Sequence, residues 1–304
     1  MPRPLMLLDT ASLYFRAFFG VPDTRKSPSA PPTNAASGLL DMIARLVREH
    51  QPAALVACWD TDWRPAWRVE LLPSYKSHRV ARGDEEEMPA ALKEQIPLIE
   101  ALLIGLGLPP VGVADHEADD VIGTYASTAD VPVDVVTGDR DLFQLIDDDA
   151  GIRVLYTARG IAKLQFVDAG FVQEKYGVLP AQYADMATLR GDTSDGLPGV
   201  AGIGEKTAAS LLRLYGDLTG VRAAAADPAS GMAARVRASL QASTDYLDKA
   251  PAVVRVARDL PVPAAPTDLP VPDLPLLEAI GEEFGITSSV GRVLTAIRDQ
   301  TSEE

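Results

Sequence analysis

The chain has 304 residues, 47% of them hydrophobic, with 43 acidic against 28 basic side chains, a net charge of −15 and a single cysteine. That length supports one large or two smaller cored domains, and the apolar content excludes a disordered chain. Cys58, in the apolar run AALVAC, has no partner for a disulfide or a zinc site and reads as a buried, inert thiol of a reducing cytoplasm, and no apolar run reaches the ~18 residues of a membrane span.

In chain order, the short apolar runs at 4–8, 54–59, 133–137 and 152–156 predict buried strands. The first stops at Asp9, too short for a signal peptide. Segments 36–49 and 89–105 carry the 3.6-residue period of amphipathic helices. The alternation predicts an α/β fold with a mostly parallel central sheet flanked by helices on both faces. After Gly170 the strand signal disappears, and 180–190, 205–215, 232–240 and 243–256 predict a smaller α-helical module. A Pro-rich connector, PVPAAPTDLPVPDLP, follows, and the last segment, 276–298, is expected to fold back as a helical tail. The domains expected are therefore 1–175, 176–259 and 260–304.

Acidic residues gather where such a sheet forms its site, beyond the carboxyl ends of the strands. The first strand runs into Asp9, the second into Asp60, and the third into TGDRD with Asp139 and Asp141. DHEADDVIGTY adds Glu117, Asp119 and Asp120. An acidic first turn suits a helix N-terminus, yet Glu117 and Asp120 would share a face and repel. In GDTSDGLPGVAGIGEKTAASLL, Asp192 and Asp195 stand in a Gly- and Pro-rich loop, ahead of a tight Gly202-Ile203-Gly204 turn and a helix from Glu205. So many oxygen donors, with only three His and one Cys in the chain, point to Mg²⁺ or Mn²⁺. Such ions point to phosphoryl transfer, with two of them activating water and stabilising the leaving oxygen. The overall charge argues against nucleic acid, but residues 59–82 carry five basic groups against three acidic ones.

Asp9, the Asp60 strand end, SYKSHR (74–79), HEADD (116–120), TGDRD (137–141) and GDTSDGLPGVAGIGEKTA (191–208) occur in the order seen in structure-specific 5′ nucleases. The chain thus resembles the flap-endonuclease/5′→3′ exonuclease family, which includes the amino-terminal nuclease domain of bacterial DNA polymerase I, over roughly residues 4–260. The resemblance implies a PIN/5′-nuclease-like fold with a helical arch near 76–100 and a helix–turn–helix module, cutting branched DNA with two or more Mg²⁺ or Mn²⁺ ions. By the family's motifs, Asp9, Asp60, Glu117, Asp119, Asp120, Asp139, Asp141, Asp192 and Asp195 match its metal-binding acids. Lys76 and Arg79 match its catalytic basic motif; Tyr75, Arg16 and Arg68 match positions that meet DNA. Gly202, Gly204, Lys206 and Thr207 are expected to hold a duplex phosphate at a helix N-terminus, with backbone carbonyls around Val200 and Ile203 holding K⁺.

The sequence departs from the family at Arg140 (often Lys), His116 (Tyr) and Gly196 (Asn), and DEEE at 84–87 makes the start of the arch acidic. The expected protein is a monomeric, cytoplasmic, nucleoid-associated bacterial nuclease that works with polymerase and ligase in trans. Two alternatives are a non-catalytic branched-DNA-binding scaffold and a different Mg-dependent phosphohydrolase. For an aspartyl-nucleophile phosphatase the first strand would end DxDxT, whereas here it ends DTA.

Overall fold

The structure is a computed structural model that describes residues 2–25, 27, 30–81 and 85–301. Five strands, β1 (Leu5–Asp9), β2 (Ala54–Cys58), β3 (Val133–Thr137), β4 (Ile152–Tyr156) and β5 (Gln165–Val167), form one sheet in the order β2-β1-β3-β4-β5. The first four run parallel, and β5 is antiparallel at the edge. Their continuous apolar runs reflect burial on both faces. Leu5 and Leu7 of β1 point into one core, and Met6 and Leu8 into the other.

Helices α1 (Thr10–Gly20) and α2 (Asn34–His50) connect β1 to β2. Four more, α3 (Ala66–Leu71), α4 (Ala90–Lys93), α5 (Ile96–Gly105) and α6 (Ala118–Thr128), lie between β2 and β3. After β5, α7 (Ala169–Tyr176) leads into α8 (Tyr183–Arg190), α9 (Glu205–Tyr215), α10 (Leu218–Ala226), α11 (Ala234–Ala242) and α12 (Thr244–Val254). An extended segment then reaches α13 (Leu274–Glu283) and α14 (Thr287–Thr301). Among the described residues no helix is long and apolar enough to cross a membrane.

One expectation is corrected. The single helix expected over 89–105 is broken into α4 and α5, with Pro97 in the first turn of α5, where its missing N–H costs nothing. Gln95, fully buried at the break, caps α2: its side-chain oxygen accepts from the N–H groups of Ala35 and Ala36 at 2.8 and 3.2 Å. The arch is accordingly not one long helix. Its described part is a 3₁₀ turn at Ser77–Arg79, a β-bridge between Val80 and Glu86, and α4, while 82–84 lie outside the described residues. The tail folds back onto the core. Leu277, Ile280, Val290, Val293 and Ile297 of α13 and α14 belong to the same core as α2 and α5, because those helices would otherwise expose an apolar stripe.

Candidate active site

Three of the strand-end acids, Asp9, Asp60 and Asp139, are each held by a backbone N–H group. Asp9, at the end of β1, caps α1: one carboxylate oxygen accepts from the Ser12 N–H at 3.1 Å, the other from the Thr137 hydroxyl at 2.6 Å. The Thr137 oxygen also accepts from the Asp139 N–H at 2.9 Å, and Asp139 accepts from the Asp141 N–H at 2.8 Å. The TGDRD turn is thereby tied to the first strand. Asp60, beyond β2, accepts from the Ala118 N–H at 2.8 Å, which draws the start of α6 and its Asp119 over the same edge.

The loop bearing Asp192 and Asp195 comes from the helical half. It closes on itself through Asp192 N–H to Leu197 O at 3.0 Å and Leu197 N–H to Asp192 O at 2.7 Å. Gly196 has φ of 71°, and a Cβ there would fall 2.1 Å from the Ser74 carbonyl oxygen. Only glycine lets the loop lie this close to residues 74–76. The Lys76 N–H completes the junction by donating to the Asp195 carbonyl at 2.9 Å.

These segments enclose a cavity of 370 Å³ lined by Asp9, Asp60, Glu86, Glu117, Asp119, Asp139, Asp141 and Asp192, against Lys76, Arg79 and Arg140. Burial, and then mutual repulsion, raises the pKa values of several of these acids. Burial, with repulsion from Asp60 and Asp139, lifts Asp9 to about 7 although the Thr137 hydrogen bond pulls it down. Burial and the Asp139 charge push Asp119 and Asp141 well up. Asp60 is raised by burial despite Lys76. Asp195 rises to about 6, mainly by burial. Among the described residues no three of these groups converge tightly enough to cage an ion unaided. The donors nevertheless suit hard cations: all are oxygens, the eight acids outnumber the three cations that line the cavity with them, although Asp192 also pairs with Arg190 at 3.2 Å, and ions of this class retain waters to complete their shells.

Three residues expected to touch metal or DNA point inward instead. Arg68, 2% exposed, donates to Asp120 at 2.8 and 2.9 Å and pairs with Glu117. Asp120 is fully buried, reaches back to the Glu117 N–H at 3.3 Å and accepts from the Ala257 N–H at 2.8 Å. Tyr75, also buried, donates its hydroxyl to Glu117 at 2.6 Å. The Glu117–Asp120 repulsion is thus relieved by a guanidinium, which leaves Arg68 and Tyr75 no face for DNA and Asp120 none for a metal. Glu117 forms the cavity floor, with Lys76 as its third partner. Burial works to lower the Lys76 ammonium, but Glu117 and neighbouring groups hold it well above its ordinary value. Arg79 bridges to Asp195 at 3.1 Å and to the Ser194 carbonyl at 2.8 Å, and Asp195 does not line the cavity.

In the helical half, Gly202 has φ of 79°, which requires glycine, whereas Gly204 has an ordinary extended backbone and open space around it. The expectation of a backbone need for glycine therefore holds at 202 and not at 204. Lys206 is exposed and Thr207 half-buried on the first turn of α9. The Val200 carbonyl accepts from the Ile203 N–H at 2.9 Å, closing the turn before that helix. Arg16 lies near the cavity mouth with a contact to the Ala158 carbonyl at 3.4 Å. Sequence reasoning missed Glu86, which the Val80–Glu86 bridge turns inward, and Thr137, whose hydroxyl joins two strand ends. The signal for Glu86 was the DEEE run, whose direction only the bridge sets.

Two family models match: the 5′-3′ exonuclease N-terminal resolvase-like domain over residues 4–177, and the 5′-3′ exonuclease C-terminal SAM fold over 178–275. A 5′-3′ exonuclease of Streptomyces coelicolor is 56% identical over 299 residues, covering 96% of this chain and 99% of that protein. One of Mycobacterium tuberculosis is 45% identical over 314 residues, covering 98% of each. Among solved structures, the bacteriophage T5 flap endonuclease, in a complex with DNA and metal ions, superposes with a TM-score of 0.64 at 20% identity, covering 97% of this chain and 100% of that one.

Proposed function

The chain belongs to the 5′-3′ exonuclease family, and from that premise we propose that its acid cavity hydrolyses phosphodiester bonds at the 5′ ends and 5′ flaps of branched DNA. The observation that supports this most is the delivery of Asp9, Asp60 and Asp139 from three adjacent parallel strands into one cavity with Lys76 and Arg79 on its wall.

In this reading Asp9, Asp60, Asp119, Asp139, Asp141 and Asp192 hold two or more divalent ions, Mg²⁺ or Mn²⁺, with Glu117 and Asp195 acting from behind through Lys76 and Arg79. Bound there, the ions would supply a water of lowered pKa and stabilise the leaving oxygen. The protein's own groups do the rest. The Thr137–Asp9–Ser12 hydrogen bonds fix the carboxylates before substrate arrives. The Lys76 ammonium, charged at neutral pH, is placed to meet a phosphate oxygen. Arg79 ties the 192–197 loop to the arch base, so the cutting residues of both halves move as a unit.

The helical module over 176–259 grips the duplex through the first turn of α9, using Gly202, Gly204, Lys206 and Thr207, with K⁺ at the Val200 and Ile203 carbonyls and Arg16 at the cavity mouth. The protein acts as a monomer on nucleoid DNA in the cytoplasm, handing its product to polymerase and ligase. Digestion of end-labelled nicked, 5′-flap and single-stranded substrates tests this. Release from 5′ ends and flaps in Mg²⁺ or Mn²⁺, abolished by EDTA, is the expected result. A protein that binds these substrates without cutting any of them would overturn it.

A further inference from the structure

Beside the acid cavity lies a second cavity of opposite sign. It also measures 370 Å³ and is lined by Arg140, Arg159, Lys163 and Lys175, with Tyr156, Tyr176 and Glu205. Its one acid is already paired, because Glu205 accepts from Arg190 at 3.0 Å. Among the described residues none of the four cations has an ion-pair partner, and Lys175 instead rests over the Phe171 and Tyr176 rings at 5.1 and 5.2 Å. In a chain of net charge −15, a concave surface with four unpaired cations focuses a local positive field.

The position of this cavity suggests its ligand. Tyr156 ends β4, Arg159 and Lys163 come from the turn before β5, Lys175 from the end of α7, and Glu205 is the first residue of α9. Arg140 lines both this cavity and the acid one. The basic cavity therefore spans the interval between the cutting site and the start of α9, whose first turn carries no side-chain cap. We propose that it is a phosphodiester subsite, which takes the sugar–phosphate backbone of duplex DNA between the cut and the helical module. The proposal rests on the nuclease reading of the acid cavity. It gives the enzyme a requirement for duplex next to the cut that the metal site alone does not impose.

The test pairs Arg159→Ala with Lys163→Ala, both exposed and outside the cutting machinery. A charge-matched control, Arg48→Ala with Arg298→Ala, lies at the opposite end of the sheet, where Gln300 of α14 bonds the Pro52 carbonyl ahead of β2. Affinity is measured in Ca²⁺ for a nicked duplex and for a single strand of the same length across a KCl series, alongside single-turnover cleavage at saturating enzyme. The pocket variant should lose about tenfold in duplex affinity near 0.1 M KCl, with a salt slope lower by about two, since each phosphate contact contributes ~0.9. Its saturated cleavage rate and single-strand affinity should match the parent, and the control should bind like the parent. An unchanged slope in the pocket variant, or an equal loss in the control, overturns the subsite. A parent that never cuts DNA would defeat the nuclease reading, while the binding slopes would still decide the pocket.

Discussion

Arg68 holds Asp120 through both terminal guanidinium nitrogens, at 2.8 and 2.9 Å, with both side chains almost wholly buried beneath the acid cavity. The same guanidinium pairs with Glu117, so one cation anchors the first turn of α6 and the cavity floor together. Arg68→Ala should destabilise the fold by about 3–5 kcal/mol, because it strands the buried Asp120 carboxylate, whereas Glu117 keeps Lys76 and Tyr75. Urea unfolding checks this. Arg68→Ala with parental stability but weakened DNA binding would restore the phosphate-contact role.

Asp139→Asn and Asp141→Asn should each abolish cleavage, by at least about 10²–10³ in single-turnover rate, since a charge that stabilises the transition state is lost. Duplex affinity in Ca²⁺ should hold, because the grip proposed for the duplex lies in α9 and its surroundings. Near-parental turnover in Mg²⁺ would remove both from the metal set.

For Lys76→Ala, kcat and kcat/KM should fall together, by about 10²–10³, if its ammonium meets the phosphate in the transition state. Glu117 keeps Arg68 and Tyr75 as partners in that variant, so folding should survive. Arg79→Ala should act more weakly, by freeing the Asp195 loop. An unchanged single-turnover rate in Lys76→Ala with reduced affinity would leave it a phosphate-binding lysine only.

The buried acids in and behind the cavity should make metal-free stability fall as pH rises. Asp9 goes from an ordinary 3.8 to about 7 and Asp195 from 3.8 to about 6 on folding, so the folded state binds protons more tightly than the unfolded one. Their contribution is complete below about pH 4 and is lost as pH passes through 6 to 7. Mg²⁺ supplies the missing countercharge and competes with those protons. Thermal melts should show Mg²⁺ raising Tm by several degrees at pH 8 and hardly at all at pH 5. Equal shifts at both pH values would contradict the linkage.

Gly196→Ala and Gly204→Ala should separate two kinds of glycine. At 196 a Cβ meets the Ser74 carbonyl and φ is positive, so about 1–3 kcal/mol of stability should go, and the Asp195–Lys76 junction with it. At 204 the space is open, and stability should stay within about 0.5 kcal/mol of the parent. Equal melting of the two variants in urea would refute the contrast.

The sequence by itself determined the four parallel strands, because residues buried on both faces must be continuously apolar, and it determined which acids stand at their carboxyl ends. It also marked α9 to the residue, since a helical period bounded by glycines leaves little freedom. It did not show which acids face the cavity. Asp119 and Asp120 are neighbours in the chain, yet one enters the cavity and the other is taken by Arg68, 52 residues away, because consecutive helical positions point about 100° apart. Nor could it show which core the tail completes or that Glu86 turns inward. The tail's helices read as amphipathic without naming a partner. Which surface covers an apolar stripe, and which cation reaches a buried carboxylate, are settled by contacts between segments far apart in the chain, and no local pattern records them.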